Sequence, residues 1–347
     1  VPDVPHGGLA AHLPADALDF SSNVNPYGPS PRVWAAMRQV AIEHHPDPRA
    51  APLRRLLAQR EGLPPEALLV GNGSVDLLYQ LAVAHLRPGD VVLAAEPTFG
   101  EYAAAAALMG ARVERLPAAP EAGFAHDPEA LADAVRRLGP RVLFVCNPNN
   151  PTGGTLPAAA LARLADSCPD TLLVLDEAFA GFLPEPWPGR ALLGRPNLAI
   201  LRSLTKDYAL TGLRAGYLLG PPDLIGAVAK AQPPWSVNAM AQAAAAAALA
   251  DEQYLRGTLA ALAVARADLA ADLARIGLAP LPTQVHFFLL EVGRAALWRQ
   301  RLLDRGILVR DCTSFGLPGH IRISARRPEE NARLLETIDD LRLTIDD

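Results

Sequence analysis

Between residues 68 and 219 the chain alternates short runs that are apolar at consecutive positions with longer stretches whose apolar residues recur every three or four places. Runs at 68–70, 91–95, 113–116, 142–146, 172–175, 198–201 and 215–219 predict strands buried on both faces, because a half-exposed strand would alternate polar with apolar. Helices are predicted over 75–86, 102–109, 128–138 and 157–166, between the earlier runs. The pattern implies an α/β fold, a doubly wound and mainly parallel seven-stranded sheet between helices, with ligands gathering at the carboxyl ends of the strands.

Outside that block the pattern changes. The stretch 20–31 is rich in Gly, Pro, Ser and Asn, and Phe20 and Val24 make it an ordered loop laid across another surface. Ser30 as N-cap and Pro31 open a helix to residue 43, and a second runs over 51–61 after the turn His45-Pro-Asp-Pro48. Past Pro233-Pro-Trp-Ser-Val-Asn238 the chain reads as helical to residue 276. Runs at 285–291, 307–310 and 320–324, with helices at 295–305 and 328–341, then predict an α+β region. The expected division is a large domain over 33–245 and a small domain made of 1–32 and 246–347.

Composition narrows the function. A chain of 347 residues, half hydrophobic and a fifth charged, is an ordinary globular balance. A net charge of -5, without a long Lys/Arg run, argues against nucleic acid or an anionic membrane as partner. The alanine-rich run 239–250 is too short and too weakly apolar to span a bilayer, so it reads as a buried helix. Cys146, Cys168 and Cys312 lack zinc-ligand spacing and are odd in number, and no metal is expected. Residues 1–8 show no secretory signal, and a cytoplasmic enzyme acting on a small molecule is the expectation.

Four stretches just past strand ends carry chemistry. Lys206 follows Ser203 and precedes Arg214 by eight residues. An amine there can join an aldehyde, and the hydroxyl and guanidinium can hold a phosphate, although a solvated loop has the same composition. Gly71-Asn-Gly-Ser74 sits between a strand and a helix, as an anion-binding helix N-terminus or a plain turn does. It is not a dinucleotide fingerprint, because Asp76 stands where a third glycine would be needed. In Cys146-Asn-Pro-Asn-Asn-Pro-Thr-Gly153 the prolines fix the path and two asparagines can offer donors to a bound ring, or the whole can be a turn. Asp176, at the end of the run 172–175, needs a cationic or hydrogen-bonding partner if buried, and a protonated pyridine nitrogen is one such partner.

Together these motifs resemble the fold-type I pyridoxal-phosphate enzymes, the aspartate aminotransferase superfamily, in order and spacing over essentially the whole chain. The resemblance implies pyridoxal 5'-phosphate as cofactor, Lys206 as its Schiff-base lysine and Asp176 as the partner of its pyridine nitrogen. It implies Asn150 at the ring hydroxyl oxygen, Phe99 on the ring face, and Gly73, Ser74, Ser203 and Arg214 at the phosphate. A homodimer with shared sites is implied too. His45 stands where relatives place a tyrosine that reaches the neighbouring subunit's cofactor phosphate, and Val75 stands where they often have an acid.

Within the superfamily the chain is similar to histidinol-phosphate aminotransferases and to the threonine-phosphate decarboxylases of cobalamin synthesis. His6-Gly7-Gly8, the stretches 18–26, 201–206 and 234–239, and Phe179 in place of a usual tyrosine all lean to the decarboxylase. The expectation is therefore pyridoxal-phosphate-dependent decarboxylation of L-threonine O-3-phosphate to (R)-1-amino-2-propanol O-2-phosphate, with His6, Asn23, Tyr27, Arg310 and Arg322 binding the substrate. The alternative is transamination of histidinol phosphate, or a related amino acid, with 2-oxoglutarate. A sensor that borrows the fold would carry a basic helix-turn-helix, and none precedes residue 68.

Overall fold

The computed structural model describes residues 4–5, 7–8, 16–184 and 187–345. Its largest sheet has seven strands in the spatial order Leu68–Gly71, Gly216–Leu219, Leu198–Ser203, Leu172–Asp176, Val142–Cys146, Val91–Glu96, Arg112–Pro117. All pairings are parallel except the two made by Gly216–Leu219, which is antiparallel to both neighbours. Successive residues of one strand go to opposite clusters. Leu143, Val145, Leu173 and Leu175 pack on one face, while Val142, Phe144, Leu172 and Val174 pack on the other. Both faces are covered, which is why these strands read as unbroken apolar runs. Arg112–Pro117 is one of the two edge strands, and there Arg112 pairs with Glu114 and Arg115 with Glu96. Charges on an edge discourage further strand addition.

A second hydrophobic cluster lies under a three-stranded antiparallel sheet of Arg310–Asp311, His320–Ser324 and Phe287–Glu291. Phe20 is fully buried in that cluster with Leu262, Leu269, Trp298 and Ile323. Its backbone N–H donates to Leu308 O at 2.8 Å and its carbonyl accepts from Ser324 N at 2.9 Å. Burying such a ring contributes about 1.5–3 kcal/mol. The N-terminal loop is thereby fastened to the C-terminal third of the chain, just ahead of Ser21 and Asn23.

Four local differences from the sequence reading have physical causes. The first helix stops at Met37 rather than 43, and Ile42 beyond it is exposed, with no surface of this chain to cover it. The helical stretch to 276 is two helices, Ala239–Leu249 and Glu252–Arg275, divided at Asp251. The Asp251 carboxylate caps the second helix by accepting from Tyr254 N, and it also accepts from Ser30 Oγ at 2.5 Å. Helix Pro222–Ala231 carries a proline at its first turn and was absent from the reading. Strand Leu18–Asp19, paired in parallel with Ile307–Leu308, is too short for any periodicity to reveal. Residue 245, the expected domain edge, falls inside helix Ala239–Leu249, whose buried alanines belong to the cluster of the large sheet. Among the described residues no helix is long and apolar enough to cross a membrane.

Gly216 joins fold to site. A Cβ there would stand 2.6 Å from Ser74 N and 2.8 Å from Arg202 O, both backbone atoms with nowhere to go. Gly216→Ala is expected to destabilise the protein by about 1–3 kcal/mol. An unfolding midpoint in denaturant unchanged from that of the parent protein would contradict this packing.

Candidate active site

Strands Val142–Cys146, Leu172–Asp176 and Leu198–Ser203 are parallel neighbours in register, with Cys146 beside Asp176 and Asp176 beside Leu201. Their carboxyl ends therefore open at one edge, and the loops that follow them must meet there. Asn147 N donates to Asp176 O at 2.8 Å, fixing the start of the Asn-Pro loop against the acid. A cavity of about 100 Å³ lies at that edge, lined by Ser74, Phe99, Asn150, Asp176, Lys206 and Arg214 among others. It adjoins a wider one of about 340 Å³ whose walls include Asn23, Phe179, Lys206, Arg310 and Arg322.

Asp176 is buried, and burial pushes its carboxyl above the usual carboxylate range. Opposing that, Tyr102 Oη donates to Oδ2 at 2.8 Å, Ala178 N donates to Oδ1 at 3.0 Å, and the Lys206 charge favours the ionised form. Burial lowers the Lys206 amine to about 8, with Arg322 and Arg214 adding to the fall and Asp176 resisting it. An amine so placed is neutral in an appreciable fraction of molecules near pH 7, as a nucleophile or proton acceptor must be.

The candidate anion cradle is built from a helix start and one guanidinium. Gly73, at φ +90°, precedes helix Ser74–His85, and a Cβ on it would lie 2.6 Å from Arg214 Nη2. The positive φ favours glycine here, and a side chain would also crowd the guanidinium that lies beside this helix start. Ser203 Oγ is 2.7 Å from Thr205 Oγ1, and Thr205, not Ser203, is on the cavity wall.

At the outer cavity Arg310 and Arg322 face each other across paired strands. Arg322 donates to Asn150 Oδ1 and, at 2.5 Å, to Ser21 O, while its Nε is buried without a partner. Desolvation lowers its pKa to about 10. Asn23 accepts from Ser324 Oγ at 2.6 Å and leaves its own amide nitrogen unpartnered. Two buried donors without acceptors thus border a cavity already crowded with cations, a donor set that matches an anionic ligand. Arg310 donates to Pro5 O and Ser314 Oγ, both at 2.7 Å.

Of the expected site residues, the structure brings Ser74, Phe99, Asn150, Asp176, Lys206, Arg214, Asn23, Arg310 and Arg322 onto the two cavities, with Gly73 against Arg214. Three lie elsewhere. Ser203 stands behind Thr205, and Tyr27 packs in the second cluster with the Arg327 guanidinium over its ring. His45 is exposed and stacks on Trp235, ring centroids 4.7 Å apart. His6 lies outside the described residues. Of the two asparagines expected to reach a ring, only Asn150 lines the cavity. The Asn149 amide is used within the loop, donating to Pro97 O at 2.8 Å and Thr152 Oγ1 at 3.0 Å. The residues overlooked were Thr205, whose hydroxyl sits one position before the lysine, and Tyr102, which was read as the first residue of a helix with no role. Among the described residues no group of three or more His, Cys, Asp or Glu gathers as a metal site would require.

Comparison with known proteins agrees with this geometry. Residues 15–338 match the family of class I and II aminotransferases. The chain is 42% identical to a histidinol-phosphate aminotransferase of Symbiobacterium thermophilum, over 93% of this chain and 90% of that protein. A solved histidinol-phosphate aminotransferase from Sinorhizobium meliloti, in complex with pyridoxal-5'-phosphate, superposes with a TM-score of 0.83 at 30% identity, covering 92% of this chain and 90% of that one. The L-threonine-O-3-phosphate decarboxylase of Porphyromonas gingivalis gives 0.82 at 30% identity, over 93% and 98%. The expectation of a decarboxylase, and with it of a lyase, is corrected by the 42% relative, an aminotransferase. The reason is physical: both reactions use one scaffold and differ in which substrate bond lies perpendicular to the ring, so short stretches such as 6–8, 18–26, 201–206 and 234–239, which do not fix that orientation by themselves, were a weaker guide than similarity over the whole chain.

The Lys206 environment is testable. Its reaction with a small aldehyde and cyanoborohydride, read by mass spectrometry, is expected to rise with pH to a midpoint at about 8. Arg322→Gln removes a positive neighbour and should move that midpoint upward. A midpoint near that of an ordinary lysine in the unaltered protein would refute the burial described here.

Proposed function

The chain belongs to the class I and II aminotransferase family, and on that premise we propose that it is a histidinol-phosphate aminotransferase, passing the amino group of histidinol phosphate to 2-oxoglutarate. The cofactor is pyridoxal 5'-phosphate. The observation that carries the reading is a buried amine of lowered pKa and a buried carboxylate on one cavity, beside an anion cradle and a mouth lined with arginines. The 42% relative supports the choice of substrate.

When bound, pyridoxal phosphate supplies an aldehyde for amines and an electron-withdrawing ring. The rest is done by side chains of this protein. With the cofactor bound, Lys206 would be the amine that holds its aldehyde and the base that moves the proton at the substrate Cα. Asp176 would accept from the ring nitrogen and Phe99 would pack on the ring face, both being on the cavity wall. Asn150, its carbonyl oxygen already held by Arg322, has its amide N–H groups for the ring hydroxyl oxygen. Gly73, Ser74, Thr205 and Arg214 hold the cofactor phosphate, with Ser203 orienting Thr205. Arg310, Arg322 and Asn23 take the substrate's phosphate or the carboxylate of 2-oxoglutarate, and so decide that a C–H bond faces Lys206. Phe179 adds an apolar wall on both cavities.

We also read the active form as a homodimer. Trp34, Ile42 and Trp235 are large apolar side chains left exposed, and His45 stacks on the last of them. On this reading His45 serves the partner's cofactor phosphate, and the small domain is joined to the large one just after helix Ala239–Leu249. Three unpaired cysteines fit a reducing compartment such as the cytoplasm.

Incubation with histidinol phosphate and 2-oxoglutarate should yield glutamate, and Lys206→Ala should reduce the rate by at least roughly 10²- to 10⁴-fold, the contribution of proton transfer alone. No glutamate, together with CO2 release from threonine phosphate, would refute the assignment. Sedimentation should report a dimer, and His45→Ala should weaken pyridoxal-phosphate binding by a few-fold. A fully active monomer would remove His45 from the site.

A further inference from the structure

Asp176 has a buried companion that touches neither cavity. Tyr102 lies in helix Glu101–Leu108, is fully buried, and stacks on Phe144 with ring centroids 4.9 Å apart. Its edge meets Phe99 at 5.7 Å. The hydroxyl donates to Asp176 Oδ2 at 2.8 Å, and the only other bond to that carboxylate among the described residues is the one from Ala178 N to Oδ1. Burial raises the phenol pKa well above its ordinary value, so this oxygen keeps its proton and can only donate it to the carboxylate. The neighbouring Cys146 thiol is likewise raised by burial and stays neutral.

Building on the reading of Asp176 as the partner of the cofactor's pyridine nitrogen, we propose that Tyr102 is a positioning residue that keeps this carboxylate ionised, so that the proton shared between them stays on the ring. In a dry site a carboxylate that loses a hydrogen bond becomes a stronger base. Without the hydroxyl, Asp176 gains roughly one to two pH units of basicity. The proton then moves from nitrogen to Oδ2, no other bond changes, and the ring withdraws electrons less strongly. Packing makes this hydroxyl well suited to the role, because the stack on Phe144 holds the phenol at one orientation. The same ring supports Phe99, so the element that sets the charge at one edge of the cofactor also bears on its face.

The experiment uses holoenzyme loaded with pyridoxal phosphate labelled with 15N in the ring, and reads the nitrogen chemical shift near neutral pH. The unaltered protein should give the shift of a protonated pyridine. Tyr102→Phe keeps the ring stack and should move the resonance toward the unprotonated position, with kcat lowered roughly tenfold or more and KM for the amino donor little changed. A Tyr102→Phe holoenzyme whose nitrogen remains fully protonated overturns the proposal. As a second variant, 3-fluorotyrosine in place of Tyr102 preserves shape and strengthens the donor, so its nitrogen must stay protonated; movement toward the unprotonated position there also overturns it. An unprotonated nitrogen in the unaltered protein would instead sink the assignment of Asp176 itself. A merely structural role for Tyr102 would alter the unfolding midpoint and leave the nitrogen shift where it was.

Discussion

An acid and an amine that burial drives toward neutrality are held on one cavity, at the ends of adjacent parallel strands. Each eases the other, since Asp176 raises the amine's pKa and Lys206 adds to the hydrogen bonds of Tyr102 and Ala178 that lower the acid's. Neither effect cancels desolvation. The pair is left with a lysine that gives up its proton more readily than an ordinary one, and a carboxylate whose ionised form is favoured by the bonds it accepts and by Lys206, as an aldehyde cofactor with a basic ring nitrogen would need at its two ends. The parallel sheet makes the arrangement, because strands in register must release their following loops at one edge.

Around that pair the charges do not balance. Lys206, Arg214, Arg310 and Arg322 line the adjoining cavities, against Asp176 among the acids on their walls. Cations crowded together in a poorly solvated space repel one another, and desolvation has lowered the pKa of Arg310, Arg322 and Lys206. A cofactor phosphate and an anionic substrate would reverse that strain, so binding energy is available to orient the reacting bond. On the proposed function, this is how the arginines at the mouth would bear on which bond is broken deeper inside.

A second set of buried charges holds the same loops from behind. Glu177 and Asp207 directly follow Asp176 and Lys206, and both are buried and raised, to about 7 and about 6. Arg202 pairs with Glu177, favours ionisation of both acids, and lies over the Trp187 ring at 4.2 Å. Glu177 Oε1 also accepts from Gly189 N at 2.8 Å, and Gly181 has no room for a Cβ beside Asp207. Such contacts fix the backbone next to Asp176 and Lys206, so these side chains start from rigid positions.

Local patterns in the chain determined a good deal. Consecutive apolar residues identified six of the seven strands of the large sheet, because burial on both faces removes polar positions from such a strand, whereas Arg112–Pro117, predicted as buried on both faces, is a partly exposed edge that keeps Arg112, Glu114 and Arg115. The motifs at 147–153, 176, 203–206 and 214 pointed to the site, since loops after parallel strands have to meet. What the tertiary structure decided were matters of a few ångströms between distant segments. Residue type alone does not distinguish Asn149 from Asn150; the resemblance implied Asn150, and the structure supplies the reason, because Pro97 and Thr152 claim Asn149. Tyr102 looked like one more apolar helix residue, because its bond to Asp176 spans 74 positions of chain. Asp251, where the helical stretch breaks, is held by Ser30 from 221 positions away, and Leu18–Asp19 becomes a strand only beside Ile307–Leu308. Periodicity reports how a segment is buried, whereas hydrogen-bond partners are set by which surfaces the folded chain brings together.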